Sequence, residues 1–428
     1  MKTLASIAFA MLLAAPAAAQ PADSLDAVAR DYVRTMLEIG ARDDGFVDAY
    51  YGPPEWRTEA AANPRSLPDL AGAVDALERR AEAITVAQDT PEARRRAFLM
   101  AQLNAADTRL RLIRGERLNF ADEAQGLYSV RPELKQLADY DPILARIERL
   151  VPGEGTLADR VDAFQDRLVI PRDRLDAVIR AAIAECRRRT AAHIPLPEGE
   201  AFTLEFVTDK PWSGYNSYQG NYRSHIQINT DLPVRLGRAV DLGCHEGYPG
   251  HHVFGMLLER ELARGRGWVK FAIYPLYSPM SFIAEGSANY GIRIAFPGNE
   301  RLAFETRVLY PLAGLPAQDA AAYLQLQEAM RELGGARFTI ARDLLDGRIT
   351  RDQAITLTQR YQLMSRARAE QSVDFTQHYR AYVINYGLGE EMVAAHIERA
   401  GTSQRARWAA MRQLLSEPTL PADLTRAR

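Results

Sequence analysis

Apolar residues recur at helical spacing along most of this 428-residue chain, with one interruption near its middle. Residues 24–41 alternate apolar and polar positions with the period of an amphipathic helix. Thr90 followed by Pro91 predicts the cap and first turn of a long helix reaching about Arg114. Residues 157–168 and 171–194 read as two further helices. Between 201 and 230 the period changes to two, and 202–207 and 224–230 alternate as strands. The polar aromatic stretch 212–222 between them reads as a loop. After a glycine-rich loop at 264–267 the chain is helical again to 416, with breaks near Pro297-Gly298, Gly334-Gly335 and 387–389. The pattern therefore predicts a mainly α fold with a small β-sheet. Residues 20–195 form a helical region walling a cleft, and 196–428 carry the chemistry, the two integrated as one domain. An aromatic, proline-rich segment at 48–56 either lines that cleft or forms a structural turn.

Candidate chemistry is concentrated in His245-Glu246-Gly247-Tyr248-Pro249-Gly250-His251-His252, which holds three of the chain's seven histidines. Neutral imidazoles beside a carboxylate are what a zinc-dependent hydrolase needs: nitrogen ligands for the metal and a base for its water. The ordinary His-Glu-x-x-His motif places two histidines one helical turn apart. Here that later position is Pro249, so Pro249 and Gly250 read as an insertion that opens or bulges the helix. His251, directly after it, is the preferred second ligand; His252 stays open as the alternative. A third ligand is expected on a downstream helix, and Glu285, set among small residues that allow close helix approach, is the candidate.

The octapeptide resembles the hallmark His-Glu-x-x-Pro-Gly-His-His of a widespread bacterial family, catalogued as the domain of unknown function numbered 885. Its members resemble mostly helical, zincin-like metallopeptidases. A second family block, Glu-Gly-Trp-Ala-x-Tyr, is matched by Glu285, Gly286, Ala288 and Tyr290, with Ser287 in place of the tryptophan. The resemblance runs through Tyr222 to Thr230 and loosely through the C-terminal helices. It implies a large helical zincin-like fold, a bound Zn2+, and metal ligation by His245, His251 or His252, and Glu285.

On this reading Glu246 is the general base. Oxyanion donors are sought in the C-terminal segment, at Tyr382, Tyr386 or Arg380, where the family places a tyrosine-rich helix. His225 is a further candidate. The strand at 223–230, which includes His225 and Asn229, either holds an extended substrate by strand addition or is a plain structural hairpin. Asp241, one turn before His245, either orients a ligand imidazole or serves as a favourable charge in the first turn of that helix.

Composition changes the picture in a few places. Residues 1–19 read as a cleavable signal peptide with Lys2, an apolar run at 4–15 and small residues at 17–19, which predicts an exported, periplasmic protein. Neither cysteine, Cys186 or Cys244, lies near that cleavage site, so a lipid anchor is not indicated; a disulfide between them after export stays open, with a buried small hydrophobe the favoured reading of Cys244. Net charge is −2, which gives no reason to expect nucleic acid or a membrane surface as partner. The expected partner is a peptide or small amide. A carboxypeptidase would need a basic anchor, for which Arg223 and Arg293 are candidates among 53 basic residues. The rival readings are a metallohydrolase of non-peptide amides or esters and a non-catalytic metal-binding protein.

Overall fold

The computed structural model describes residues 23–426; the signal-peptide expectation for 1–19 lies outside the described residues. Its helices form where periodicity and caps agree. Helix α1 (Leu25–Gly40) starts at Ser24, whose side chain accepts the Ala27 N–H, and buries Val28, Tyr32, Met36 and Ile39 along one stripe. Helix α2 (Pro91–Ile113) is capped by Thr90, with proline at its start. Helix α3 (Arg172–Ala191) begins after Pro171 without a side-chain cap and buries Val178, Ile179, Ala182, Ile183 and Cys186. The fold is mainly α with two small sheets.

The main core draws on residues from Val28 to Leu424, so the N-terminal and C-terminal halves share one interior. A second cluster, around Tyr140, Ile147, Leu326, Ile340 and Ile355, packs the helices behind one side of the cleft.

Strand β1 (Val47–Tyr50) comes from the proline-rich segment expected to be either cleft lining or a turn, and it pairs antiparallel with a short strand at Ile273–Pro275. The turn after it is locked by the Tyr50 hydroxyl donating to the Pro53 carbonyl at 2.7 Å. The larger sheet contains β2 (Ala201–Val207), β3 (Gly214–Gly220) and β4 (Arg223–Asn229), in the spatial order β2-β4-β3. Two expectations change here. Residues 214–220 are a strand rather than part of a loop, paired antiparallel with β4 through a tight turn at Asn221 and Tyr222. The 223–230 strand is then central, with β2 parallel on its other side, so it has no free edge for strand addition. The polar, glycine-bounded sequence of β3 conceals the strand because its partner, not its own apolar content, supplies the order.

Cys186 and Cys244 form the disulfide that the sequence left open, in place of the favoured reading of Cys244 as a free hydrophobe, with Cα atoms 5.4 Å apart. Helix α3 packs directly against the turn that carries His245, and proximity across 58 residues of sequence is a tertiary fact. The bond ties that turn to the main core.

Candidate metal centre

Helix α4 (Gly237–Leu242) runs into a wide turn, Gly243–Gly247. The Tyr248 N–H reaches back to the Gly243 carbonyl at 3.3 Å and the Gly250 N–H to the Cys244 carbonyl at 3.0 Å, longer spans than an α-helix allows. The chain leaves the helix at Tyr248 and restarts as α5 (His251–Leu257). The expected opening at 249–250 is present, and the widened turn before it extends the break to include His245 and Glu246. Gly250 is sterically required: a Cβ there would lie 1.8 Å from the His245 carbonyl oxygen.

The bulge folds His251 back on His245. Their Nε2 atoms are 3.1 Å apart and their rings nearly perpendicular, at 85°. Helix α6 (Pro279–Ala295) brings Glu285, with Oε2 3.2 Å from His245 Nε2 and Oε1 3.4 Å from His251 Nε2. The three ligand atoms all lie within 4.8 Å of one another, so His245, His251 and Glu285 form a group that can hold a metal ion. The donor set fits a cation on a second count. Oε2 of Glu285 is buried, and its close polar contact is His245 Nε2 at 3.2 Å; a cation between the two satisfies both atoms. Taken as protein groups alone, burial pulls His251 down, but Glu285 outweighs it and raises His251 to about 9. Burial raises Glu285, and the two histidines outweigh that and hold it well below the usual carboxylate range.

Neighbouring side chains aim these ligands. Nδ1 of His245 lies 2.8 Å from Asn289 Oδ1, and the Asn289 amide nitrogen donates to the Tyr386 carbonyl at 2.8 Å. That second bond assigns the amide orientation, so His245 carries its proton on Nδ1 and presents Nε2 as a lone pair. The Tyr382 hydroxyl donates to Glu285 Oε1 at 2.7 Å. Helix α6 approaches α9 (Ile384–Glu398) closely at Gly286, where a Cβ would lie 2.4 Å from the Gly389 carbonyl carbon. Those are the small residues that the sequence around Glu285 displays.

Glu246 is 4 % exposed, and burial raises its pKa against the lowering pull of His245 and His251. Its backbone carbonyl accepts from the Asn216 side chain at 2.6 Å, and Gly214 of β3 lies directly over its carboxylate. These groups open on a cleft of about 970 Å³, also lined by Asp48, Tyr215, Tyr274, Tyr379 and Tyr386. Asp48 accepts from the Tyr215 hydroxyl at 3.0 Å; burial, the dominant influence, pushes it up to about 7. Tyr386 places its ring 6.3 Å from that of His245, nearly parallel.

Several expected site residues serve elsewhere. His252 is fully buried between Ser224, 2.8 Å from its Nδ1, and Glu200, 3.0 Å from its Nε2, so it braces the bulge and is not a ligand. On α5 the next residue points some 100° away from His251, which decides between them. His225 pairs with Glu205 at 3.1 Å and does not line the cleft. Asn229 donates to the carbonyls of Lys210 and Trp212 and holds the approach to β3. Arg380 is ion-paired with the buried Glu123, outside the cleft. Asp241 lines the cleft but bonds Arg301 at 2.9 Å; His245 is oriented by Asn289 instead. Tyr382 is taken up by Glu285, which leaves Tyr386 as the tyrosine of the pair facing the ligand imidazole.

Asn289 and Asp48 were not singled out from sequence. Asn289 had one usable signal: it stands four residues after Glu285, on the same helical face. Asp48 opens the 48–56 segment read as cleft lining or turn, but nothing local marks its carboxylate, because it reaches the site through pairing of β1 with a strand over 220 residues later.

No protein-family model and no curated protein sequence matches the chain. Among solved structures, a candidate lipoprotein from Colwellia psychrerythraea is similar with a TM-score of 0.51 and 16% identity, over 81% of this chain and 66% of that one. The chain thus spans less than two thirds of that protein's length. A candidate lipoprotein of unknown function from Shewanella oneidensis aligns at a TM-score of 0.45 and 14% identity, over 89% and 81% of the two chains. At such identities the likeness to the Colwellia protein is one of fold alone.

Proposed function

We propose that this chain is an exported zinc-dependent hydrolase of peptide amide bonds, related to the family of the domain of unknown function numbered 885. The observation that carries the reading is the convergence of His245, His251 and the buried Oε2 of Glu285 beside a buried Glu246. Two imidazole nitrogens and one carboxylate oxygen are the donor set of a catalytic rather than a closed structural zinc site. Bound there, zinc supplies Lewis acidity and lowers the pKa of a coordinated water. Glu246, its carboxylate raised by burial, takes a proton from the attacking water and passes it to the leaving amine. Tyr386, beside His245, is the donor offered to the developing oxyanion. Strand β3, an edge of its sheet and part of the cleft wall, takes the strand-addition role expected of 223–230. Among the described residues no helix is long and apolar enough to cross a membrane.

The test is metal content with peptide cleavage on the purified mature chain, beside Glu246→Gln. The expected result is about one zinc per chain in both proteins and chelator-sensitive cleavage in the wild type. Glu246→Gln should lose about 10²–10⁴-fold in kcat, the usual worth of a positioned base. Near wild-type turnover in that variant would remove Glu246 from the mechanism, and absence of metal after zinc reconstitution would overturn the site.

A further inference from the structure

Arginines line the cleft, and most of them are already engaged. Arg301 bonds Asp241 and Glu305 at 2.9 and 2.8 Å, Arg293 reaches Glu398 at 3.2 Å, and Arg238 approaches Asp241 at 3.5 Å. Among the described residues Arg331 also lines the cleft without an ion pair, but it is exposed to water; Arg337 is shielded. It projects into the same cleft from helix α7 (Gly334–Leu345), and its Nε is buried with no hydrogen-bond partner. Among the described residues no carboxylate forms an ion pair with it. Its contacts are two ring faces: its Cζ is 5.1 Å from the centre of Phe375, on α8 (Arg366–Tyr379), and 5.9 Å from that of Tyr386.

A guanidinium does not deprotonate to escape burial. Ring faces return only part of what leaving water costs a charge. Burial accordingly pulls the guanidinium below its usual range, with only Tyr386 opposing. A charge kept in this state at the wall of a cleft is suited to an anion that arrives with the ligand. Asp48, Glu246 and Glu285 lie together around His251, close enough to feel one another's charge. An anionic end of a substrate is disfavoured beside the free carboxylates and drawn toward Arg337.

Position sets the class of anion. Tyr386 lies 5.9 Å from the Arg337 guanidinium and 6.3 Å from the His245 ring, so these two spans set the upper bound on the separation of the guanidinium from the metal group. A residue of extended chain covers about 3.3–3.6 Å, so a terminal residue and its carboxylate match that separation better than a long peptide tail does. Phe375 and Tyr379, with centroids 4.5 Å apart, supply an apolar wall beside the same arginine.

We infer that Arg337 anchors the free α-carboxylate of a peptide substrate, so that the site removes single C-terminal residues, preferentially apolar or aromatic ones. The inference rests on the hydrolase reading above. In the reaction water adds across the last peptide bond: a C–O bond forms at the carbonyl, the C–N bond breaks, and a proton of the water ends on the amine of the released amino acid.

The test compares N-benzoyl-glycyl-phenylalanine with its C-terminal amide on the zinc-loaded mature chain, in wild type, Arg337→Met and Arg337→Lys. Calorimetric binding of N-acetylphenylalanine and N-acetylphenylalaninamide to the chelator-treated proteins runs beside it. The wild type should favour the acid by about 100-fold in kcat/KM, as loss of a buried charge-pair partner implies. Arg337→Met should bring that ratio to within a few-fold of one. Arg337→Lys, which keeps the charge, should retain a reduced preference and shows that a loss in Arg337→Met is not misfolding. Equal cleavage of acid and amide by the wild type, or an unchanged ratio in Arg337→Met, overturns the anchor. If zinc is bound but neither compound is cleaved, the hydrolase reading fails and binding decides the anchor separately. Acid-selective binding that Arg337→Met abolishes upholds it, and binding without selectivity overturns it.

Discussion

Oδ1 of Asn289 lies 2.8 Å from Nδ1 of His245, one helical turn beyond Glu285 on the same helix. One helix thus supplies a metal ligand and the group that sets the tautomer of another. Asn289→Ala should weaken zinc affinity by about 10–100-fold, the usual worth of a partner behind a ligating histidine. Competition with a chromophoric chelator measures it, and an unchanged affinity would show that the imidazole is aimed by something else.

His251 and His252 are adjacent in sequence and opposite in role. His251→Ala should stay folded and lose stoichiometric zinc. His252→Ala should retain zinc and lose stability, because Ser224 and Glu200 lose their buried partner. A cost of about 2–4 kcal/mol is expected for breaking a buried, hydrogen-bonded charged contact. Elemental analysis paired with thermal denaturation separates the two. Zinc loss from a folded His252→Ala protein would reverse the assignment.

Gly250 bears on the metal without touching it. A Cβ at this position would lie 1.8 Å from the His245 carbonyl oxygen, so Gly250→Ala must displace the turn joining the two ligand histidines. A loss of about 1–3 kcal/mol in stability, typical of overpacking, should come with zinc affinity at least tenfold weaker. Full affinity in this variant would mean that the bulge adapts freely and does not set the ligand geometry.

Glu200 gives the protein an acid-sensitive brace. Burial raises its pKa, but His252, Tyr248 and Arg187 outweigh that and lower it to about 2, from an ordinary 4.5. A depressed folded-state pKa contributes stability that is present above the unfolded value and is lost as pH falls through the folded one. Wild type should therefore exceed Glu200→Gln by roughly 2–3 kcal/mol near neutrality, with the gap closing from about pH 4.5 toward pH 2. Paired denaturant titrations in chelator keep metal linkage out of the comparison. A gap independent of pH would mean that charge on Glu200 contributes nothing.

Local sequence by itself determined the helices, because their signals are short-range: Thr90 with Pro91 at a helix start, and a buried stripe at three-to-four-residue spacing in 25–40. It also determined the essentials of the candidate site. Pro249 forbids ligation at the usual position, and Gly250 is the residue that tolerates the resulting bulge, so the octapeptide carries its own geometry. The choice of His251 over His252 needed the restart point of α5, which tertiary packing sets. The parallel pairing of β2 with β4, the Cys186–Cys244 bond and the approach of Asp48 depend on contacts between segments far apart in the chain. Arg337 shows the difference most clearly. In sequence it is one arginine among many, and only the folded cleft decides which arginines already have an acid beside them and which is left facing the ligand, because ion pairing is a property of distance in space.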